Sequence, residues 1–527
     1  MSALDRYTGP WDTRRAGHLL RRTTFLSSKR FVEQLVQRGL DGAVEELLAD
    51  RPVPDPPLDP ATGQTWVNST TPMQGDAQYR LAVKGWWLEQ MLRTDRFSII
   101  EKMTLLWHNY FATEADTIAD SRYQYHHNQK LRRYALGNLK ELTYQVTIDP
   151  GMLRYLNGDQ NTAQKPNENY ARELQELFTI GKGPERAPGD YTNYTEHDVQ
   201  QAARVLTGWR VQRIGDPSTS IFNPTLHDKG DKQFSAAYGN TVIRGRSGAT
   251  AGQEELTDLL EMIFSQEETA RFFVRKIYRW FVFYQIDQQT EREVIEPLAV
   301  LLRQSNFEIK PVLEVLLKSQ HFYDDQNIGA MIKSPLDFLC MLFTTAGFPL
   351  PTNQQSKTQL LNALVGIAAA LQQNPMDPPS VAGWPAYYQT PDYYRLWINS
   401  ATLPTRYSVT DGIIFGSRLL PRQYTLDVLA YAEQVSSNPG DYAQLIRDLE
   451  QELLPAYPLT DQQRDDLARN VLMAGGQVYE WAQIWAAYKA NPTDPSARGA
   501  AKQRQQRPTG VGHRRTLRPH PKASRAT

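Results

Sequence analysis

Apolar residues recur at three- and four-residue steps over most of this chain, the spacing of helices that bury one face. Residues 13–50 read as a helical entry segment, carried by Leu19, Leu20, Phe31, Leu35, Leu40, Val44 and Leu47. Pro52, Pro54, Pro56, Pro57 and Pro60, followed by Gly63 and Pro72, make residues 51–74 an extended connector. Helical spacing returns over 76–94, 97–112 and 126–146, interrupted by the polar stretch Thr113 to Ser121. Residues 148–166, rich in Asp, Gly, Asn and Pro, read as a loop crowded with side chains suited to a site.

Two further helices are predicted over 167–180 and 196–207, the second introduced by Thr195 with Asp198 in a capping-box pattern. Residues 209–250 carry short β-like fragments, Trp209 to Gln212 and Asn240 to Ile243, inside a loop-rich insert. Helical spacing dominates 253–347 and 356–373, breaks at Pro375, Pro378 and Pro379, and resumes over 424–489. The expectation is a mainly α, multi-helix globular array with loop-rich inserts and little β-strand. Its parts are an N-terminal helical segment (1–50), the connector (51–74), a main helical domain (75–410) with inserts near 148–166, 209–250 and 374–410, and a C-terminal helical region (411–490). Residues 491–527, with nine Lys or Arg against one Asp, are expected to form a basic disordered tail.

Composition narrows the function classes. Hydrophobic residues are 40% of the 527 and charged residues 22%, a globular balance with material for more than one core. Lys plus Arg and Asp plus Glu both total 58, so no overall field draws the chain to nucleic acid or an acidic membrane. The single cysteine, Cys340, excludes an intramolecular disulfide and a multi-cysteine metal site. The first thirty residues offer no apolar signal core, and the longest nearly apolar stretch, Leu360 to Leu371, falls short of the ~20 residues that span a bilayer. A cytoplasmic location as encoded, with no membrane span, is the expectation.

Candidate chemistry concentrates in Pro166 to Phe178. At helical spacing Glu168, Asn169, Arg172, Glu173 and Glu176 share one face, and Tyr170, Leu174, Leu177 and Phe178 the other. One reading is a solvated ladder from Glu168 to Arg172 to Glu176, worth a few tenths of a kcal/mol per pair. The other places Asn169, Glu173 and Glu176 in one cleft, where paired carboxylates divide acid and base roles or hold a divalent metal ion. His108 and Asn109 lie in the aromatic run Leu105 to Phe111; His126 and His127 cannot both enter one site; His227 and Asp228 sit in the loop-rich insert. Arg271, Arg275 and Arg279 form one stripe and Phe273, Ile277, Trp280, Phe281 and Tyr284 the opposite one, an ordinary surface helix rather than a nucleic-acid face. No Walker loop, GxGxxG, GxSxG or HExxH occurs.

Several of these segments together resemble a bacterial family of unknown function, domain of unknown function 1800, over roughly residues 15–410. The resemblance rests on Gly17 to Arg22, Leu106 to Phe111, Pro166 to Phe178, Tyr194 to Val199, Ala203 to Trp209, His227-Asp228 with Lys232, and Pro378 to Pro385. The family usually carries a second histidine two residues after the first in the tryptophan-led motif, where this chain has Tyr110. The resemblance implies a fold and a set of positions, with no reaction attached. It also implies a partner, because similar proteins are commonly encoded beside an exported sulfatase-like family with twin-arginine signals.

Two functions are weighed on this basis. The first is a hydrolase-like enzyme acting on a polar or anionic substrate, with Glu173, Glu176, His108 and Arg172 as catalytic residues and Asn109, Asn167, Asn169, His227 and Asp228 binding substrate. The alternative is a non-catalytic binding partner or escort of a neighbour-encoded, exported sulfatase-like protein, exported with it. There the same polar residues pack the fold, and Trp384, Tyr387, Tyr388, Tyr393, Tyr394 and Trp397 form the contact surface.

Overall fold

Small polar residues start most of the helices, as the sequence pattern requires. Asp12, Asp120, Asn138, Asp149 and Asn167 each accept a hydrogen bond from a backbone N–H of the first turn they open. Thr195 and Asp198 close the expected capping box. The computed structural model describes residues 2–95, 97–187, 190–416, 420–421, 424–454, 458–473 and 476–505. The chain divides into two units, Met1–Leu403 and Pro404–Thr527.

The first unit opens with α1 (Thr13–Thr23) and α2 (Lys29–Leu47), the latter kinked at Gly39, whose φ is 69°. After the connector come α3 (Asp76–Met91), α4 (Ile100–Tyr110), the short α5 (Ala115–Ile118), α6 (Ser121–Arg133), α7 (Leu139–Thr147) and α8 (Pro150–Tyr155). A helix α9 (Glu168–Glu173) runs directly into a π turn, Leu174–Thr179, and is followed by α10 (Glu196–Val205). Three two-stranded antiparallel ribbons are the strand content among the described residues: β1 (Glu185–Ala187) with β2 (Asp190–Tyr191), β3 (Trp209–Val211) with β4 (Ser220–Phe222), and β5 (Lys232–Gln233) with β6 (Val242–Ile243). Then follow α11 (Ala251–Ser265), α12 (Glu267–Phe281), α13 (Gln288–Thr290), α14 (Glu296–Gln304), α15 (Ile309–Lys318), α16 (Pro335–Thr345) and α17 (Gln354–Ala370). The protein is mainly α, as its periodicity predicts.

The helix expected over 126–146 is two helices. Gly137 and Asn138 interrupt it, Asn138 caps α7, and the freed backbone pairs with the segment before α15 through Leu139 N to Phe307 O and Ile309 N to Gly137 O. The core is aromatic at its centre, with Trp87, Trp107, Tyr123, Phe111, Phe178 and Trp384 fully buried. The Trp107 indole N–H donates to Ala135 O at 3.1 Å. On α3, Gly85 lets α17 approach, since a Cβ there would stand 3.2 Å from that of Leu361.

The second unit contains α18 (Thr402–Phe415, beginning at the boundary), α19 (Val428–Val435), α20 (Tyr442–Leu453), α21 (Asp461–Asp466), α22 (Glu480–Ala490) and α23 (Pro495–Gln505). Trp481, Trp485 and Tyr488 of α22 pack with Leu429, Leu445 and Met473 as its own core. Helix α23 corrects the expectation of disorder from residue 491. Asp494 accepts from Ser496 N and Ala497 N, Pro495 sets the first turn, and Arg498 pairs with Asp427. The remainder of the basic segment, 506–527, lies outside the described residues. Among the described residues no helix is long and apolar enough to cross a membrane, and Cys340 is buried.

Candidate active site

The segment Pro166 to Phe178 builds a two-faced helix. Asn167 caps α9 by accepting from Asn169 N at 3.0 Å, and its amide donates to Asn157 O, so it works as a helix start; Asn169 is exposed beside it. Tyr170 anchors the apolar face, donating to Thr147 Oγ1 at 2.8 Å, and Phe178 packs on Phe111 at 5.4 Å between ring centres. From Leu174 the helix widens into the π turn, with Ile180 N and Gly181 N both reaching Gln175 O. Such turns recur at functional sites because they re-aim the side chains they carry.

That widening splits the expected ladder. Arg172 keeps Glu168 at 3.1 Å, but its fork closes on Glu196 of α10 at 2.5 and 2.7 Å rather than on Glu176. Glu176 pairs instead with Lys182 at 2.9 Å and accepts from the Tyr194 hydroxyl at 3.4 Å. Glu173, three residues before it, is half-buried and makes no hydrogen bond or ion pair with a described residue. Burial, and then the neighbouring Glu176 charge, push its carboxyl up to about 7.

Polar residues not singled out from the sequence meet at Tyr155, whose hydroxyl feels the Glu173 charge. Tyr155 of α8 donates to Glu114 at 2.9 Å, and burial, then Glu114, then the charges of Glu173 and Asp377, raise its hydroxyl. Asp377 in turn takes the half-turn at Ala115 N at 2.8 Å and pairs with Lys84. These residues come from the loops already marked as polar and irregular, Thr113 to Ser121, 148–166 and 374–410, but their convergence is a product of tertiary packing.

His108 lies deeper. It is 1% exposed, neither ring nitrogen has a hydrogen-bond partner, and Trp87, Trp384 and His127 enclose it at 5.3, 5.9 and 6.1 Å between ring centres. Burial, then His127 and Lys84, hold its imidazole well below the usual histidine range. Asn109 is occupied structurally: its Oδ1 accepts from Trp384 N at 2.9 Å. His127 is tied to Asp149 at 3.1 Å and to Phe111 O at 3.2 Å. Against the effect of burial, Lys130 and His127 hold the Asp149 carboxyl well below the usual range.

His227 and Asp228 belong to a separate buried network. His227 Nε2 stands 3.1 Å from Glu255, which takes Lys232 at 2.6 Å, and all three side chains are essentially unexposed. The Arg204 fork holds Asp228 at 2.8 and 3.0 Å. Arg204 belongs to α10 and Glu255 to α11, so the network pins the loop-rich insert to those helices. The predicted pocket thus separates: Glu176 lies on the π turn with Glu173 closing α9 just before it, His108 lies in an aromatic box, His227 and Asp228 lie under the insert, and Arg172 lies among surface carboxylates. Among the described residues no three His, Cys, Asp or Glu side chains stand together as a metal-ligand set.

The aromatic residues weighed as a contact surface mostly face inward. Trp384, Tyr394 and Trp397 are buried, Tyr387 and Tyr393 are half-buried, and Tyr388 is the exposed one at 43%. Two arginines of the α12 stripe are paired with carboxylates, Arg271 on Glu296 at 2.8 Å and Arg275 on Glu291 at 2.6 Å and Glu268 at 2.5 Å, and the third, Arg279, donates to Tyr284 O at 3.2 Å.

The protein is a mainly α helical array, and the turn after α9 is one of three π segments among the described residues, with Glu291–Ile295 and Leu467–Leu472. Residues 18–491 match the family model described as "Protein of unknown function (DUF1800)", and the chain belongs to that family. The match reaches well past residue 410, through α22 of the second unit. No curated protein and no solved structure matches the chain. At Tyr110, where the family resemblance expects a second histidine, the Lys276 ammonium stands 3.7 Å from the ring centre and donates to Leu177 O of the π turn at 2.5 Å.

Proposed function

We propose that the protein is a hydrolase-like enzyme that moves a proton through Glu173, acting on a polar, uncharged substrate. What supports this is the contrast within one carboxylate pair: Glu176 is clasped by Lys182 and Tyr194, while Glu173 is half-buried, bonded to no described residue and pushed up to about 7. A carboxyl poised near neutrality can give a proton to a leaving group and, once ionised, take one from water. Arg172 is consumed by Glu168 and Glu196, so it is not free to orient an anion, and the Glu176 charge beside Glu173 disfavours one.

The test is a panel of chromogenic esters, anilides and glycosides, with wild type compared to Glu173→Gln, both shown folded by circular dichroism. One substrate class should be turned over, with a loss of about 10²–10⁴-fold in the variant. Equal turnover by both proteins, or none for every class, counts against the reading.

A further inference from the structure

Lys276 of α12 is enclosed without a carboxylate. The buried lysines Lys84, Lys102 and Lys232 face Asp377, Asp337 and Glu255, and Arg271 and Arg275 of the same helix face Glu296 and Glu291. Lys276 makes no ion pair with a described residue. Its Nζ donates to Leu177 O at 2.5 Å and lies 3.7 Å from the ring centre of Tyr110 and 4.2 Å from that of Phe272. Two ring faces and one carbonyl hold a cation less firmly than a carboxylate does, and a neutral amine keeps the bond to Leu177 equally well.

Arg279 follows one turn later, a neighbour of Lys276 on the helix surface. It donates to Tyr284 O at 3.2 Å, its guanidinium lies 5.8 Å from the Tyr393 ring centre, and it makes no ion pair with a described residue. Burial, then the Arg279 charge, hold the Lys276 ammonium well below the usual lysine range. Apolar enclosure and a neighbouring cation are the two conditions that free a lysine for nucleophilic chemistry, and both meet here. Burial raises the Tyr110 hydroxyl, which feels Arg279 and Tyr393, so it stays protonated at neutral pH. Lys276, Arg279, Tyr110 and Tyr393 are all half-buried, so each side chain keeps some surface towards solvent.

We propose that Lys276 captures small 2-oxo acids as a Schiff base, with Arg279 holding the carboxylate of the captured molecule. The amine nitrogen attacks the carbonyl carbon and the C–N bond forms. The carbonyl oxygen then leaves as water with both amine hydrogens, so the step consumes neither oxidant nor reductant. A carboxylate next to the carbonyl fits this spot because Arg279 has a fork to offer and no described anion on it. This chemistry is separate from the proton transfer at Glu173 and is read out without it.

The test is trapping of the full chain at pH 7 with pyruvate and sodium cyanoborohydride, which reduces an imine to a stable secondary amine, followed by peptide mapping over time. Lys276 should be labelled first, about tenfold faster than any other lysine. Lys276→Arg keeps a donor for Leu177 O but cannot form an imine; it should melt as wild type does and lose the fast adduct. Acetone, which lacks the carboxylate, serves as the second probe. The ratio of pyruvate to acetone trapping at Lys276 should fall about tenfold in Arg279→Gln, a ratio that cancels any change in the amine itself. Labelling of Lys276 no faster than of exposed lysines, a fast adduct that survives Lys276→Arg, or an unchanged ratio in Arg279→Gln would overturn the proposal.

Discussion

Glu173 and Glu176 stand three residues apart on one helix that turns π between them, and among the described residues only the second has a hydrogen-bonding or ionic partner. The unpaired carboxyl therefore carries the cost of its own burial. In the unfolded chain it titrates near 4.5 and in the folded protein near 7, so between those values the folded state binds more protons. Stability falls as pH rises through that window and levels off above it.

Glu173→Gln removes this penalty. Thermal melts should show the variant more stable than wild type above about pH 7 and equal to it below about 4.5. The gain, discounted for partial exposure, is about 1–2 kcal/mol. A variant no more stable at pH 8 than at pH 4, relative to wild type, would show that Glu173 is solvated.

Gly383 is fixed by Asn109. Its φ is +87°, and a Cβ there would lie 2.4 Å from both Asn109 oxygens. Gly383→Ala should cost about 3 kcal/mol, from the left-handed backbone and the clash together, read as a lower urea midpoint. An unchanged midpoint would mean that the 378–385 loop is not clamped on α4.

His108 keeps two unpaired nitrogens in an aromatic box. If its role is packing alone, His108→Phe is neutral or stabilising within ~1 kcal/mol, because an unsatisfied polar group is replaced by an apolar ring. Retained stability with lost turnover would instead assign His108 to the chemistry.

Lys232 and Glu255 form a fully buried pair at 2.6 Å. Lys232→Met should destabilise by about 3–5 kcal/mol, since it strands the Glu255 charge. Adding Glu255→Gln should recover more than about 1 kcal/mol of that loss in a double-mutant cycle. Additive losses would mean the pair is not coupled.

Much of the fold was legible because helix periodicity and caps are local. Thr195 with Asp198, the breaks at the proline clusters and the polar face of 168–176 all appear where the residue pattern places them. The break at Gly137 and Asn138 was hidden because Leu131, Ala135, Leu139 and Leu142 keep helical spacing across it. The Asp494-Pro495 start of α23 was masked by the basic composition around it. The site was legible as residues but not as partners. Arg172 chose Glu196, His227 chose Glu255 and Tyr155 came to Glu114, all across loops whose closure no local spacing reports. The π turn that separates Glu176 from Arg172 is likewise invisible to a fixed 3.6-residue period.

The most direct test of the account is a ¹³C-carboxyl NMR titration of glutamate-labelled protein, with Glu173→Gln used to assign the Glu173 signal. The account predicts one glutamate carboxyl titrating near pH 7 that is missing from the variant. A Glu173 signal that titrates near 4.5, as a solvated glutamate does, would contradict it.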